Sequence, residues 1–356
     1  MKLIVDRIRA ELSKHPFDAI LLTSPQNRFY ATGFPSSAGI VLITPNSAYF
    51  ATDFRYFEDA SKKIDGYTLE MVKAGRTYHD IINTVIKAES IERIGFEDGA
   101  MTYSDYLAKK HALEAELIPA GDLMASLRMV KLPHEIEKIT KAQRIAEAAF
   151  EALLPEIRVG ATEKELAAKL TYYMEIRGSE KNSFDPIVVS GANGSLCHGH
   201  PTAKPIAQGE FITFDFGATY EGYCSDMTRT VAVGQPDEEM VQVYYTVLEA
   251  QKKAIAAAKA GVIGCDLDKI ARDHIADAGY GAYFGHGLGH GLGIDVHDAG
   301  GASPSYGKPL PEQFVCTIEP GIYIPGRFGV RIEDFVVLTK DGCVNITQTP
   351  KELLIL

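Results

Sequence analysis

FDFGATYEGYCSDMTRT, Phe214 to Thr230, sets two carboxylates, Asp215 and Asp226, in strand-like apolar runs eleven residues apart. An ionised acid in an apolar setting is costly unless something compensates it. FITFDFG and YCSDMTRTVAV read as the arms of a hairpin. With its loop centred between Tyr220 and Glu221, Asp215 lies directly opposite Asp226, the Cβ atoms about 5 Å apart. Like charges so placed repel; a cation between them reverses the sign, and divalent metals are common partners of such pairs. A shifted register that leaves one Asp in the loop is the other reading.

At 356 residues the chain is long for one hydrophobic core, so two domains are expected. The formal net charge of −11, with no Lys/Arg-rich run, argues against nucleic acid or an anionic membrane surface as partner. MKLIVDRIRAELSKH at the N-terminus reads as an amphipathic surface helix without the apolar core of a signal peptide. No apolar run approaches the length that spans a bilayer. The five cysteines (Cys197, Cys224, Cys265, Cys316 and Cys343) are widely spaced with no C-x-x-C pair. That argues against a disulfide scaffold or a thiolate zinc site, and fits a reducing cytoplasm. Cys197 precedes His198, but adjacent residues rarely form a nucleophile–base pair, so a buried thiol is the expectation there.

Outward from the hairpin, two textures appear. In residues 1–125, strand patterns (18–24, 39–44, 48–52, 67–72) alternate with helical ones (54–64, 78–89, 103–115), which implies a compact α/β domain. Residues 126–134 read as a linker, with Pro133 suited to open a helix. From 135 to 356 long amphipathic helices are segregated from strand pairs, the pattern of an α+β domain. The helix after Thr162 carries a capping box with Glu165, and two later helical runs open on Asp and close on Gly.

Three more stretches bear on the buried acids. GHGLGHGLGIDVHDAG (285–300) holds His286, His290 and His297 among many glycines, which argues for a loop with close backbone approach rather than a helix. FVCTIEPGIY ends an apolar strand on Glu319, and GVRIEDFVV places Glu333 within a strand, with Arg331 alternating on its face. A salt bridge to an arginine could explain either glutamate singly. Together two Asp, two Glu and one His form an oxygen-rich, sulfur-free ligand set large enough for two ions. It suits Mn²⁺ or Co²⁺, with Zn²⁺ and Fe²⁺ also compatible.

Asp215, Asp226, His290, Glu319 and Glu333, in that order, resemble the ligands of the pita-bread metallopeptidases, which include methionine aminopeptidase, aminopeptidase P and prolidase. The resemblance covers about residues 135–356. DAILLTSPQNRFYATGF and AYFATDFRYFEDA are similar to the creatinase/prolidase N-terminal domain, which favours the Xaa-Pro branch. VSGANGSLCHGHPT (189–202) matches the segment that carries a catalytic histidine, His198, and the VHD tripeptide matches a second at His297. His200 and His286 receive no role.

The resemblance implies an α/β N-terminal creatinase/prolidase-like domain followed by an α+β pita-bread catalytic domain. It implies Asp215 on one metal, His290 and Glu319 on the other, and Asp226 and Glu333 bridging. Glu319 would also act as general base, and His198 and His297 would bind the scissile carbonyl or the developing oxyanion. The implied substrates are proline-containing peptides and the implied assembly is a homodimer. Prolidases often carry an Arg shortly after the second histidine; HDAGGASPSYGK (297–308) has none, which favours an Xaa-Pro aminopeptidase over an Xaa-Pro dipeptidase. Lys308, Arg327 or Arg331 could substitute for it. A metal-free creatinase-like hydrolase and a non-catalytic peptide-binding module on the same fold are the more distant alternatives.

Overall fold

Ala19–Leu22, four consecutive apolar residues, form strand β1, and every one of them is fully buried. A strand covered on both faces needs such a run, and β1 lies inside a six-stranded sheet. The computed structural model describes residues 2–356 and divides into two units, Met1–Arg128 and Met129–Leu356. The first contains β2 (Ile40–Ile43), β3 (Ala48–Thr52), β4 (Thr68–Met71), β5 (Arg93–Phe96) and β6 (Glu116–Pro119). Their order is β4-β3-β2-β1-β5-β6, antiparallel from β1 through β3 and parallel at the other pairings. Helices α1 (Lys2–Leu12), α2 (Pro25–Thr32), α3 (Phe54–Lys63), α4 (Tyr78–Glu89), α5 (Tyr103–Ala112) and α6 (Leu123–Met129) complete the alternation. Short polar residues start several of them: the side chains of Ser24, Asp53, Thr77 and Thr102 each accept an N–H of the following turn.

The second unit has two helix pairs and two main strand layers. Helices α7 (Pro133–Leu153) and α8 (Glu163–Glu175) share a core with β7 (Ile187–Ser190), β8 (Glu210–Phe216) and β11 (Met227–Val233). Between β8 and β11, the short strands β9 (Thr219–Tyr220) and β10 (Tyr223–Cys224) extend the hairpin. Helices α9 (Glu238–Ala257) and α10 (Gly264–Asp277) share the other core with strands that follow them in sequence. These are β12 (Gly289–Gly291), β13 (Asp298–Ala302), β14 (Val315–Ile318), β15 (Gly321–Ile324), β16 (Phe328–Arg331), β17 (Asp334–Leu338) and β18 (Cys343–Asn345). Their five-stranded sheet runs β13-β12-β14-β17-β18, while β15 and β16 pair separately.

Some local expectations are corrected. The apparent single strand GVRIEDFVV is two, β16 and β17, with Glu333 in the joint between them. Helix α10 starts at Gly264 rather than on an aspartate, so Asp266 falls inside its first turn. Helices α2 and α6 and strands β5 and β6 are additional to the elements expected from the sequence. Because α6 runs to Met129 and α7 starts at Pro133, only residues 130–132 lie between helices in the stretch expected as a linker. All five cysteines are free. Among the described residues, no helix is long and apolar enough to cross a membrane.

Candidate metal centre and active site

The acidic hairpin turns at Glu221 and Gly222, both with positive φ (44° and 77°), as a two-residue hairpin loop of this hand requires. Its centre lies one residue later than expected. Asp215 therefore pairs with Thr228, not Asp226, which precedes the first residue of β11. The direct opposition of the two aspartates is thus corrected to a diagonal relation. Strand side chains repeat every two residues, so this shift still leaves both acids on one face.

Each glutamate has its own threonine. Arg331 Nε donates to Thr228 Oγ1 at 3.1 Å, and the Thr228 hydroxyl donates to Glu333 Oε2 at 2.7 Å. Likewise the His290 backbone N–H donates to Thr317 Oγ1 at 2.9 Å, and that hydroxyl donates to Glu319 Oε1 at 3.2 Å. An ionised carboxylate can only accept, so each hydroxyl gives its proton to its glutamate while its oxygen takes the N–H. Strand β14 carries Thr317, and Glu319 follows it before Pro320, as expected of a strand end. The glycines around His290 allow close approach to protein backbone: a Cβ on Gly289 would fall 1.8 Å from the Thr317 carbonyl oxygen.

The donors converge. Asp226, His290 and Glu333 offer ligand atoms all within 4.8 Å of one another. His290 Nε2 also lies 3.3 Å from Glu319 Oε1 and 3.7 Å from Asp226 Oδ2. Asp215 joins through β8, its Oδ2 accepting from the Arg331 guanidinium at 2.6 Å. Arg331 is thus the partner of Asp215 and not of Glu333, against the salt bridge that the sequence left open.

Whether these residues fit divalent cations can be tested on their polar atoms. Asp215 Oδ1, Asp226 Oδ1 and Glu333 Oε1 are buried without a hydrogen-bond partner. A native interior rarely leaves such oxygens unsatisfied. Burial, followed by the neighbouring carboxylates, drives the Asp226 and Glu333 carboxyls well above the usual range, and burial takes Glu319 up to about 7. Two anions at this separation repel by about 3–4 kcal/mol even at an effective dielectric of 20. His290 Nδ1 donates to the Gly291 carbonyl at 3.1 Å, and burial lowers the ring's pKa, which keeps it neutral. Its Nε2 lone pair then faces two carboxylates, an arrangement that only a cation makes favourable. The donor set fits hard divalent ions.

These groups line one cavity of about 580 Å³, which also takes in His198, His200, His286 and His297. The His297 ring packs edge-on against that of His290, centroids 4.2 Å apart. Burial, then His290 and His198, lowers its pKa. His198 and His200 lie on the exposed side of the same wall. The structure therefore gathers every site residue expected from the sequence. What sequence reading missed is the wiring beneath. The Arg331 guanidinium donates to Tyr323 Oη (2.8 Å) and to the Cys197 carbonyl (3.2 Å), and Tyr323 passes its own proton toward His286 Nε2 (2.8 Å). Burial pushes the His286 pKa down to about 4. Thr228, Thr317 and Tyr323 carry no motif signal, because their roles depend on strands distant in the chain.

A model of metallopeptidase family M24 matches residues 137–340, and one of the creatinase/prolidase N-terminal domain matches residues 4–130. The chain belongs to metallopeptidase family M24. This M24 chain is 43% identical to an Xaa-Pro dipeptidase from Bacillus anthracis of known structure, covering 100% of this chain and 99% of that one with a TM-score of 0.96. It is 40% identical to the X-Pro aminopeptidase from Thermotoga maritima, covering 98% and 100% of the two chains with a TM-score of 0.92. An Xaa-Pro dipeptidase from Pyrococcus horikoshii is 39% identical over 98% of each chain. The two-domain architecture expected from the resemblance, an N-terminal creatinase/prolidase-like domain and a pita-bread catalytic domain, is thereby borne out. Membership of a metallopeptidase family implies divalent metal ions, in keeping with the donor set.

Proposed function

We propose that this chain hydrolyses the bond between an N-terminal residue and a following proline, as an Xaa-Pro aminopeptidase working with two divalent ions, Mn²⁺ foremost. The observation that carries the reading is the convergence of three partnerless carboxylate oxygens and an unprotonated imidazole nitrogen in one cavity. A metal-free creatinase-like hydrolysis would leave those buried oxygens uncompensated. In this reading residues 135–356 carry the chemistry, residues 1–125 form the accessory domain and residues 126–134 link them. The net charge argues against nucleic acid, the free cysteines support a cytoplasmic location, and the family resemblance supports a homodimer.

Asp215, Asp226, His290, Glu319 and Glu333 would hold the ions, which when bound supply Lewis acidity and lower the pKa of water. Glu319 takes the proton of the attacking water and delivers it to the departing proline nitrogen, which must be protonated before the C–N bond breaks. His198 and His297 donate to the carbonyl oxygen as it gains negative charge. An X-Pro bond is a tertiary amide without an N–H, so recognition rests on the shape of the proline ring. Phe184, Ile187 and Val296 supply apolar wall for it.

The choice of aminopeptidase over dipeptidase rests on the cations. A dipeptide presents its C-terminal carboxylate inside the site, and a fixed positive charge is the natural receptor. Among the described residues lining the cavity, Arg331 is the only Arg or Lys, and it is engaged by Asp215. Arg327 pairs with Glu239 at 2.7 Å, and Lys308 is exposed away from the cavity wall. A second reading, Xaa-Pro dipeptidase, is favoured by the names of relatives at 43% and 39% identity. A series of X-Pro peptides from dipeptide to pentapeptide, assayed with added Mn²⁺, separates the two. Tripeptides and longer chains should be cleaved faster, and a strict dipeptide preference would overturn the main reading.

A further inference from the structure

His198, like His200 and His297, differs from the cavity's His286 and His290 in how its ring is held. The rings of His286 and His290 are held by hydrogen bonds to the Gly287 and Gly291 carbonyls, whereas among the described residues the His198 ring makes none. Its placement therefore depends on its backbone, in the segment between Ser190 at the end of β7 and Thr202, which includes a short 3-10 turn at Gly191–Ser195. Both ends of that loop meet on one side chain. Glu163, in the first turn of α8 and fully buried, accepts the Ser190 N–H at 2.7 Å and the Ser190 hydroxyl at 3.0 Å on Oε1. On Oε2 it accepts the Thr202 N–H at 2.9 Å and the Thr202 hydroxyl at 2.6 Å. The Asn193 amide bridges both oxygens at 3.1 Å each.

We infer that Glu163 is a positioning residue for catalysis, its carboxylate clasping both ends of the 190–202 loop so that His198 faces the reacting carbonyl. A buried carboxylate that spends its acceptor capacity on the two ends of one loop defines the span between those ends. Near the tip, the Arg331 guanidinium donates to the Cys197 carbonyl at 3.2 Å, and the Gly326 N–H donates to Ser195 Oγ at 3.2 Å. Glutamine cannot replace Glu163, because its amide would direct N–H groups at the Ser190 or Thr202 N–H. The inference rests on the proposed role of His198 and deepens it.

The test is a double-mutant cycle of Glu163→Gln and His198→Ala, with kcat, KM, metal stoichiometry and thermal midpoint measured for all four proteins. A misplacement of about 1 Å can cost roughly a hundredfold in rate. Glu163→Gln should lower kcat about tenfold to a hundredfold where His198 is present, with KM and metal content little changed. In the His198→Ala background it should alter kcat less than about twofold, since the group it positions is gone. Equal losses in both backgrounds, or no loss in either, would overturn the inference while leaving His198 in place. If His198→Ala alone leaves kcat intact, the role of His198 fails and the inference fails with it. Should Glu163→Gln not fold, Thr202→Val takes its place in the cycle: Thr202 is exposed, and valine keeps its shape while removing the hydroxyl donor.

Discussion

Replacing Thr228 with valine preserves side-chain shape and removes one hydroxyl from beneath the proposed metal site. That hydroxyl takes the Arg331 Nε–H and gives its proton to Glu333 Oε2 at 2.7 Å, the one hydrogen bond the Glu333 carboxylate receives among the described residues. A bond to an ionised partner is worth about 1.5–3 kcal/mol. Each ~1.4 kcal/mol is tenfold in an equilibrium constant, so divalent-ion affinity should fall about ten- to hundredfold. The same range is typical, at about 10–100-fold, for losing an outer partner of a metal ligand. The assay is calorimetric titration of metal-stripped protein with Mn²⁺, beside activity as a function of free Mn²⁺. Thr228→Val should shift both curves to higher Mn²⁺ and regain most of its kcat at saturation, while Thr228→Ser should stay near wild type. An unchanged Mn²⁺ affinity in Thr228→Val, or an equal loss in Thr228→Ser, would refute the proton direction on which the magnitude rests.

Two further outcomes follow from the histidines. His290→Ala should lose metal as well as rate, whereas His297→Ala should keep its metal and lose about a hundredfold in kcat, or about 3 kcal/mol of barrier; equal metal loss by elemental analysis would move His297 into the ligand set. His286 has a folded pKa of about 4 against 6.5 unfolded, so the unfolded chain binds more protons between those values and stability falls as pH drops through that window. The contribution is complete above pH 6.5, amounts to about 3 kcal/mol, and is lost toward pH 4. In metal-stripped protein, the stability advantage of wild type over His286→Phe should therefore shrink on acidification from pH 7 to 4, and parallel curves in urea titrations would contradict the burial argument.

The strand AILL, the cap at Thr162 and the long helices α7 and α9 were legible because their signals are local, though the Glu165 carboxylate pairs with Lys169 instead of closing the expected capping box. Hydrophobic period and capping chemistry act within a few residues, and the folded protein keeps them. The ligand set was legible for another reason. Four acids in apolar strands and a histidine among glycines conflict with burial unless a cation resolves the conflict, and that can be read before any contact is known. The hairpin register was misjudged by one residue at the turn, because Glu221 gives no local sign that it will take a positive φ. The face on which the acids lie survived the error only because side chains on a strand repeat every two residues.

Sequence alone thus determined which groups are available for chemistry, since composition and local pattern state what must be buried and what charge that burial leaves. Tertiary structure decided how those groups are held. Thr228 on β11 meets Glu333 in the joint after β16, Arg331 reaches Asp215 on β8, and Glu163 on α8 gathers both ends of the loop bearing His198. These pairings join residues 27 to 116 positions apart. No local rule connects such distances: a hydrogen bond acts over about 3 Å, and only the packed strands and helices bring its two ends that close.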